Sequence, residues 1–279
     1  MARLRYLKIW LGGAIVLLLV VCGLASPFLA PYDPQEQMLE QRLRPPSWGG
    51  QGSGPHWLGT DNLGRDILSR IIYGSRISLL IGASTVILAG FLGCLLGAMA
   101  GYFGNATDEV ISKITEIFLA FPFLLLAIAL MAFLGQGLVN VIVALMLTRW
   151  VQYCRVVRGE VLSLKERDFV LAARALGGRD FYILVRHVVP NTLASVTVIA
   201  TFAMAIVIIA EASLSFLGLG VPTSIPTWGS MLSEGRSYMY RAPWLTIFPG
   251  IAIFITVFRI NLLGDGLRDI LDPKLRGQR

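Results

Sequence analysis

Residues 168–191 read DFVLAARALGGRDFYILVRHVVPN. This polar, basic stretch lies between long apolar runs, and its reading decides the rest of the chain. Asp168 is placed to start a short helix through Ala172, Ala173 and Ala175. Gly177 and Gly178 are placed to end it, because glycine adopts a left-handed cap without a Cβ clash. Asp180 is placed to cap a second helix. In that helix Phe181, Leu184, Val185 and Val188 recur at i, i+3, i+4 and i+7, the spacing of one helical face. Pro190 has no N–H to give and is expected to stop it.

Outward from this stretch, composition sets the class. Hydrophobic residues make up 55% of the 279 and charged residues 15%, with a mean hydropathy of +0.69. Long uncharged runs recur, so the expectation is an all-α polytopic membrane protein with six transmembrane helices. The spans are expected at about 7–29, 77–100, 117–134, from 138 through Arg149 into the polar stretch 155–167, 192–210 and 244–263. Arg3, Arg5 and Lys8 ahead of the first run mimic a signal peptide, but the run is long for one and reads as a retained helix.

Between the spans, residues 30–56 read as loop, and residues 56–79 as an amphipathic helix lying at the interface. There Ile67, Leu68, Ile71 and Ile72 oppose Arg65, Asp66, Ser69 and Arg70, and Asp66 and Arg70 are spaced for an ion pair. Asp61, Asn62 and Asp66 lack the spacing of a calcium loop. Gly93, Gly97 and Gly101, with Gly90 nearby, repeat at the spacing that lets two helices pack closely. Residues 102–116 read as a polar turn, and Gly135-Gln136-Gly137 as a tight reversal. Residues 221–243 read as a loop with a short helix at 228–232, and Trp228 and Trp244 suit a membrane interface.

Lysine and arginine set the orientation. With the N-terminus in the cytoplasm, 15 of the 24 fall on cytoplasmic segments and seven on outer ones. Arg149 and Arg259 lie in or near spans. Both termini and the 168–191 stretch are therefore expected in the cytoplasm. Five arginines in the first outer loop (Arg42, Arg44, Arg65, Arg70 and Arg76) sit awkwardly with that count.

Catalytic chemistry is not visible. His56 and His187 are the only histidines, and the expected topology puts them on opposite sides of the membrane. Cys22, Cys94 and Cys154 are far apart, so neither a disulfide framework nor a metal set is expected. No lysine follows a glycine, which rules out a phosphate-binding loop in the chain itself. Among intramembrane charges, Glu211 is expected just past the outer end of the fifth span, where with Ser215 it could line a gate or cap a turn. Arg259 is expected about one turn from the inner end of the sixth span, positioned to snorkel or to line the pathway. Ser84, Thr85, Thr148, Thr197, Thr201 and Thr256 are scattered among aliphatic side chains, which fits a wide, weakly selective passage.

The 168–191 stretch resembles the cytoplasmic "EAA" loop of ABC-importer permeases. That pattern runs Glu-Ala-Ala, three residues, Gly, nine residues, then an apolar residue, any residue, an apolar residue and Pro. Ala172, Ala173, Gly177, Val189 and Pro190 fall in register. Leu171 stands at the Glu position and His187 at the first apolar one. The dipeptide, oligopeptide and nickel branch often shows both departures. LGTDNLGRD (58–66), EASLSFLGLG (211–220) and the tail NLLGDGLRDILDPKLRGQR (261–279) also resemble that branch. The resemblance runs from His56 to about Leu275.

It implies a type I ABC importer permease fold in the bacterial inner membrane. The expected partners are a homologous second permease subunit, two ATPase subunits, an extracytoplasmic substrate-binding protein and the lipid bilayer. ATP and Mg²⁺ would be held by the ATPases, and this chain would bind no cofactor and catalyse no reaction. It further implies that Ala172, Ala173, Arg174, Leu176, Gly177, Arg179, His187 and Pro190 form the ATPase-coupling loop. From the residues alone, a loop folded against the chain's own helix ends is an equal reading. Di- or oligopeptides are the expected cargo, with nickel or a metal chelate as the alternative. The expected division is 1–76 (first helix, outer loop, interfacial helix), 77–263 (permease core with coupling loop 153–191) and 264–279 (tail).

Two other classes were weighed. An ion-coupled secondary transporter usually has carboxylates at mid-membrane, and no expected span has one at its centre. A helix-turn-helix DNA-binding regulator also has a glycine turn and basic residues. Flanking spans and Pro190 argue against it, so no nucleic acid is expected.

Overall fold

The computed structural model describes residues 2–48 and 55–271, with side chains from residue 12 onward. Helix α1 (Ala2–Leu24) is followed by the short α2 (Ser26–Leu29) and a 3₁₀ turn (Leu39–Gln41). Helix α3 (Ile67–Phe103) is capped by Asp66, whose Oδ2 accepts the Ser69 N–H at 2.7 Å. It has 37 residues, or about 55 Å at 1.5 Å per residue. The interfacial helix expected before the second span is thus its first turns. Nothing between 67 and 79 breaks a helix, so the amphipathic and apolar parts run together across the expected 76/77 boundary. Asp66 is spent on the cap, and Arg70 pairs elsewhere.

Helices α4 (Asn105–Leu119) and α5 (Phe123–Leu134) replace the expected turn and straight third span. They meet at 89° across residues 120–122, where Pro122 removes a donor and holds Phe121 out of the helical region. Gly135 (φ +76°) and Gly137 make the expected reversal into α6 (Leu138–Leu164).

α3 and α6 form the closest helix pair. A Cβ on Gly93 would collide with the Trp150 carbonyl, one on Gly97 with the Cys154 carbonyl, and one on Gly101 would lie 2.9 Å from the Arg158 carbonyl. The glycine repeat is a packing surface, as its spacing implies.

Helices α7 (Asp168–Ala175) and α8 (Asp180–Ile183) follow, then a π turn (Leu184–Val188) and α9 (Val189–Phe216). Pro190 does not stop the helix. The Val189 N–H already reaches back five residues to the Leu184 carbonyl. The ladder is therefore widened where the proline ring would strike the turn before it. Residues 180–216 run on as one helical stretch.

Helix α10 (Trp228–Arg236) starts at a capping box in which Thr227 and Ser230 exchange 3.0 Å hydrogen bonds. Trp228 is 1% exposed. It packs on Gly74 and donates to the Ile71 carbonyl at 3.1 Å, so it is a packing residue and not an interface anchor. Helix α11 (Trp244–Leu271) runs past the expected end at 263. The rest of the expected tail, residues 272–279, lies outside the described residues.

α3, the stretch 180–216 and α11 are each long and apolar enough to cross a membrane, and α4 with α5 passes only as a bent pair. α6 carries Arg149, Arg155, Arg158 and Glu160, and the described apolar part of α1 is only Gly12–Leu24. Composition thus supports three spans, or four with the bent pair, against the six expected.

The α3–α6 contact gives a direct test. Gly97→Leu should lower the thermal unfolding midpoint of the solubilised protein, with a cost of about 1–3 kcal/mol for overpacking. Gly159→Ala, where nothing lies within 4 Å, should not lower it. An unmoved midpoint for Gly97→Leu would contradict the close approach.

Candidate functional site

The loop between α6 and α9 is built on the C-terminal ends of α3 and α6. Lys165 Nζ donates to the Gly101 carbonyl at 3.1 Å, capping the last turn of α3. Arg158 grips Asp108 of α4 with Nε–Oδ1 at 2.5 Å and Nη2–Oδ2 at 2.7 Å. This fork-on-carboxylate geometry fixes α4 against α6. Fifty residues separate the two, so no local pattern announces the pair.

α7 ends as its glycines require. Gly177 has φ +82°. The Gly178 N–H bonds the Ala173 carbonyl and the Gly177 N–H the Arg174 carbonyl, both at 3.0 Å. Those two bonds are a Schellman cap. Asp180 is not a cap: it is the first residue of α8, and its Oδ1 accepts the Tyr102 hydroxyl at 2.9 Å. Arg174 lies 3.4 Å from the Tyr102 hydroxyl and 3.9 Å from the same carboxylate oxygen. The Tyr102 hydroxyl raises the proton affinity of the Arg174 guanidinium above its ordinary value, so this surface cation stays charged.

The loop has two faces. Inward, Val170, Ile183, Leu184 and Val188 are buried against Ala98, Tyr102, Val157 and Val161. Ala173 packs on this cluster, so it does not belong with the outward small residues, which are Ala172 and Ala175. Outward, Phe169, Leu171, Leu176, Phe181 and Tyr182 are exposed, with Leu176 at 89%. Arg174 and Arg179 are exposed among them. His187 is half-buried, its ring edge-on to Tyr182 at 5.6 Å, and Pro190 is exposed on the helix.

At the other end of the molecule, Glu211 lies inside α9, within the helix and not past its end. It is 1% exposed and accepts from Ser215 Oγ at 2.8 Å. Arg259 is half-buried on α11, 5.7 Å from the Phe258 ring. Fifteen residues separate it from the outer end of α11, about 22 Å. The structure joins Glu211 with Ser215 and leaves Arg259 apart.

Sequence reasoning also missed a buried charge cluster. Arg65 bonds Asp61 at 2.6 Å and Glu234 at 2.7 Å. Arg70 bonds the same two at 2.5 and 2.7 Å. His56 bridges Asp66 at 3.0 Å and Gln41 at 2.8 Å. The surplus of arginines in the first outer loop was its signal: two of the five are interior groups.

Residues 93–277 match the family described as "Binding-protein-dependent transport system inner membrane component". Residues 9–46 match the "N-terminal TM domain of oligopeptide transport permease C". The chain belongs to this permease family. It is similar to the di/tripeptide transport system permease protein DppC of Pseudomonas aeruginosa, with 45% identity over 95% of this chain and 88% of that one. The glutathione transport system permease protein GsiD of Pectobacterium atrosepticum is 45% identical over 95% and 86%. The oligopeptide transport system permease protein OppC of Bacillus subtilis is 41% identical over 99% and 89%. Among solved structures, a chain of the inward-facing MetNI methionine ABC transporter matches with TM-score 0.60 at 18% identity, over 74% of this chain and 98% of that one. That match concerns the fold. The likeness reaches the N-terminus, further than the four sequence motifs extend.

In this permease the inward and outward faces of the loop should separate on mutation. Val170→Ala should cost about 1–3 kcal/mol through cavity formation and lower the thermal midpoint. Leu176→Ala should stay within about 0.5 kcal/mol of wild type. Equal losses would mean that Leu176 is part of the fold.

Proposed function

We propose that the chain is a translocation subunit of an ATP-driven importer that moves di- or oligopeptides into the bacterial cytoplasm. The observation that carries the coupling role is the outward face of the 168–183 segment. It sets large apolar side chains beside Arg174 and Arg179 on a loop whose other face is anchored to α3 and α6. A contiguous exposed apolar patch with charges at its rim marks a docking surface. The occupant we assign is a cytoplasmic ATPase subunit. Closure of the ATPase pair would move the loop and, through it, the membrane helices. ATP and Mg²⁺ belong to those partners, and this chain holds no cofactor. A second, homologous permease subunit and an extracytoplasmic binding protein complete the assembly.

The cargo assignment is supported by relatives named for di/tripeptides, glutathione and oligopeptides. A metal-ion cargo is less well suited, because Arg149 places a fixed cation near the middle of α6. The binding protein selects among peptides, and the permease pair forms a passage with weak side-chain preference. The topology we propose has six crossings with both termini in the cytoplasm, α1, the α4–α5 pair and α6 completing the count.

Two experiments test this reading. A reporter fused after Gly178 should report cytoplasm and one after Ser224 the outside; the same side for both would refute the topology. Leu176→Asp and Ala172→Asp should insert normally, lose ATPase copurification and lose peptide uptake. Ala173→Asp tests the fold instead, because Ala173 faces inward. A full complex with normal uptake for both outward variants would end the coupling role.

A further inference from the structure

Arg149 lies near the midpoint of α6, beside a cavity of about 410 Å³ lined by Leu119, Phe123, Thr148, Arg149, Gln152 and Arg155 among others. Its guanidinium stacks on the Phe123 ring at 3.7 Å. Its Nε and Nη2 are closed to solvent and have no hydrogen-bond partner among the described residues. These two nitrogens share one edge of the guanidinium, the edge that grips a carboxylate side-on. Nine residues further along the same helix, Arg158 uses that same edge on Asp108. Arginine stays charged in proteins, and buried charged donors without acceptors are costly enough to need an explanation. Asp108 is held by Arg158. Glu160, which accepts from Ser195 with one oxygen and has no partner for the other among the described residues, stands eleven residues, about 16 Å, further along α6.

We infer that the Arg149 edge binds the terminal carboxylate of a peptide in transit. A carboxylate offers the planar pair of acceptors that the edge requires, and a metal cation would be repelled. Phe123, which covers the guanidinium, is the first residue of α5, joined to α4 only through residues 120–122. The cavity has the volume of a small-ligand site, and Leu119 and Phe123 give it an apolar wall for a side chain. Every linear peptide ends in one carboxylate whatever its side chains are. A site that reads only that end is therefore compatible with a broad cargo range.

The inference rests on the peptide-importer reading, so the test separates the two. Equilibrium dialysis of the permease–ATPase complex in nanodiscs, without binding protein, compares labelled dialanine with dialaninamide. Wild type should hold the free acid about tenfold tighter, the scale of one charge-assisted fork. Arg149→Gln should erase the difference, and Arg149→Lys should restore part of it. Equal wild-type binding of the two, or a preference that survives Arg149→Gln, overturns the inference. So does loss of the second permease subunit from the Arg149→Gln complex, which would make a protein carboxylate the acceptor. ATP-driven uptake of dialanine by the complete wild-type transporter, measured alongside, tests the importer reading itself. Absence of uptake would remove both.

Discussion

The contact on which the rest of the structure depends is the backbone-to-backbone approach of α3 and α6. Lipid is as apolar as leucine, so two helices in a bilayer gain little by merely burying aliphatic surface against each other. They gain from close packing, and three glycines at every fourth residue of α3 allow carbonyls of α6 to lie where side chains would otherwise stand. At the C-terminal end of this pair, the Asp108–Arg158 fork fastens α4, the Tyr102–Asp180 bond fastens α8 and the buried Val170 fastens α7 to it. The outward-facing loop is therefore not a free appendage. A push on α7 is delivered to the ends of both helices together, as the coupling role we propose demands.

At the opposite end, three buried charges and the half-buried Glu234 perform a different task. Arg65 and Arg70 share Asp61 and Glu234, which binds the segment before α3 to α10. Buried ion pairs gain little net stability, because desolvation cancels most of the attraction, yet removing one member leaves a stranded charge. Their effect here is to fix register: Glu234 lies 164 residues from Arg70, and only one docking of α10 satisfies both arginines. Glu211, enclosed against α10, accepts from Ser215 with one oxygen, while its Oε2 has no hydrogen-bond partner among the described residues.

What the sequence made legible was whatever depends on local chemistry. The Schellman cap at Gly177, the reversal at Gly135, the glycine stripe and the short helix at Trp228 all follow from residue types within one or two turns. The errors share a different cause. Pro190 looked like a stop because the widened turn before it leaves no mark in composition. The start of α3 looked interfacial because Arg65 just before it and Arg70 within it share a partner far along the chain, Glu234, besides the nearby Asp61. Ala173, grouped with the coupling residues by the resemblance, packs inward, because an eight-residue helix leaves its orientation to Val170 and the cluster beneath. Patterning shows that a face is apolar or small; it does not show which neighbour claims it.

The break between α4 and α5 can be understood on the same terms. α5 has 12 residues, about 18 Å of helix, well short of the ~30 Å hydrocarbon core. In the six-crossing topology we propose, and measured from the reversal at Gly135–Gly137, the break lies at membrane depth, level with Arg149. Irregular backbone at that depth is tolerated only where it is covered by protein or lines an aqueous cavity. Residues 120–122 are exposed in the isolated chain, so lipid cannot be what they meet. The cavity that Leu119 and Phe123 line touches the break from both sides, and Arg149, whose unpaired edge is closed to solvent, forms part of its wall. A bent span, a hydrated cavity and a stranded guanidinium each carry a cost in a bilayer if taken alone. Placed together, the cavity borders the bend, and the bend sets Phe123 over the charge. This conjunction is why the middle of α6, and not the scattered hydroxyls elsewhere in the spans, is where a charged end of a peptide can cross.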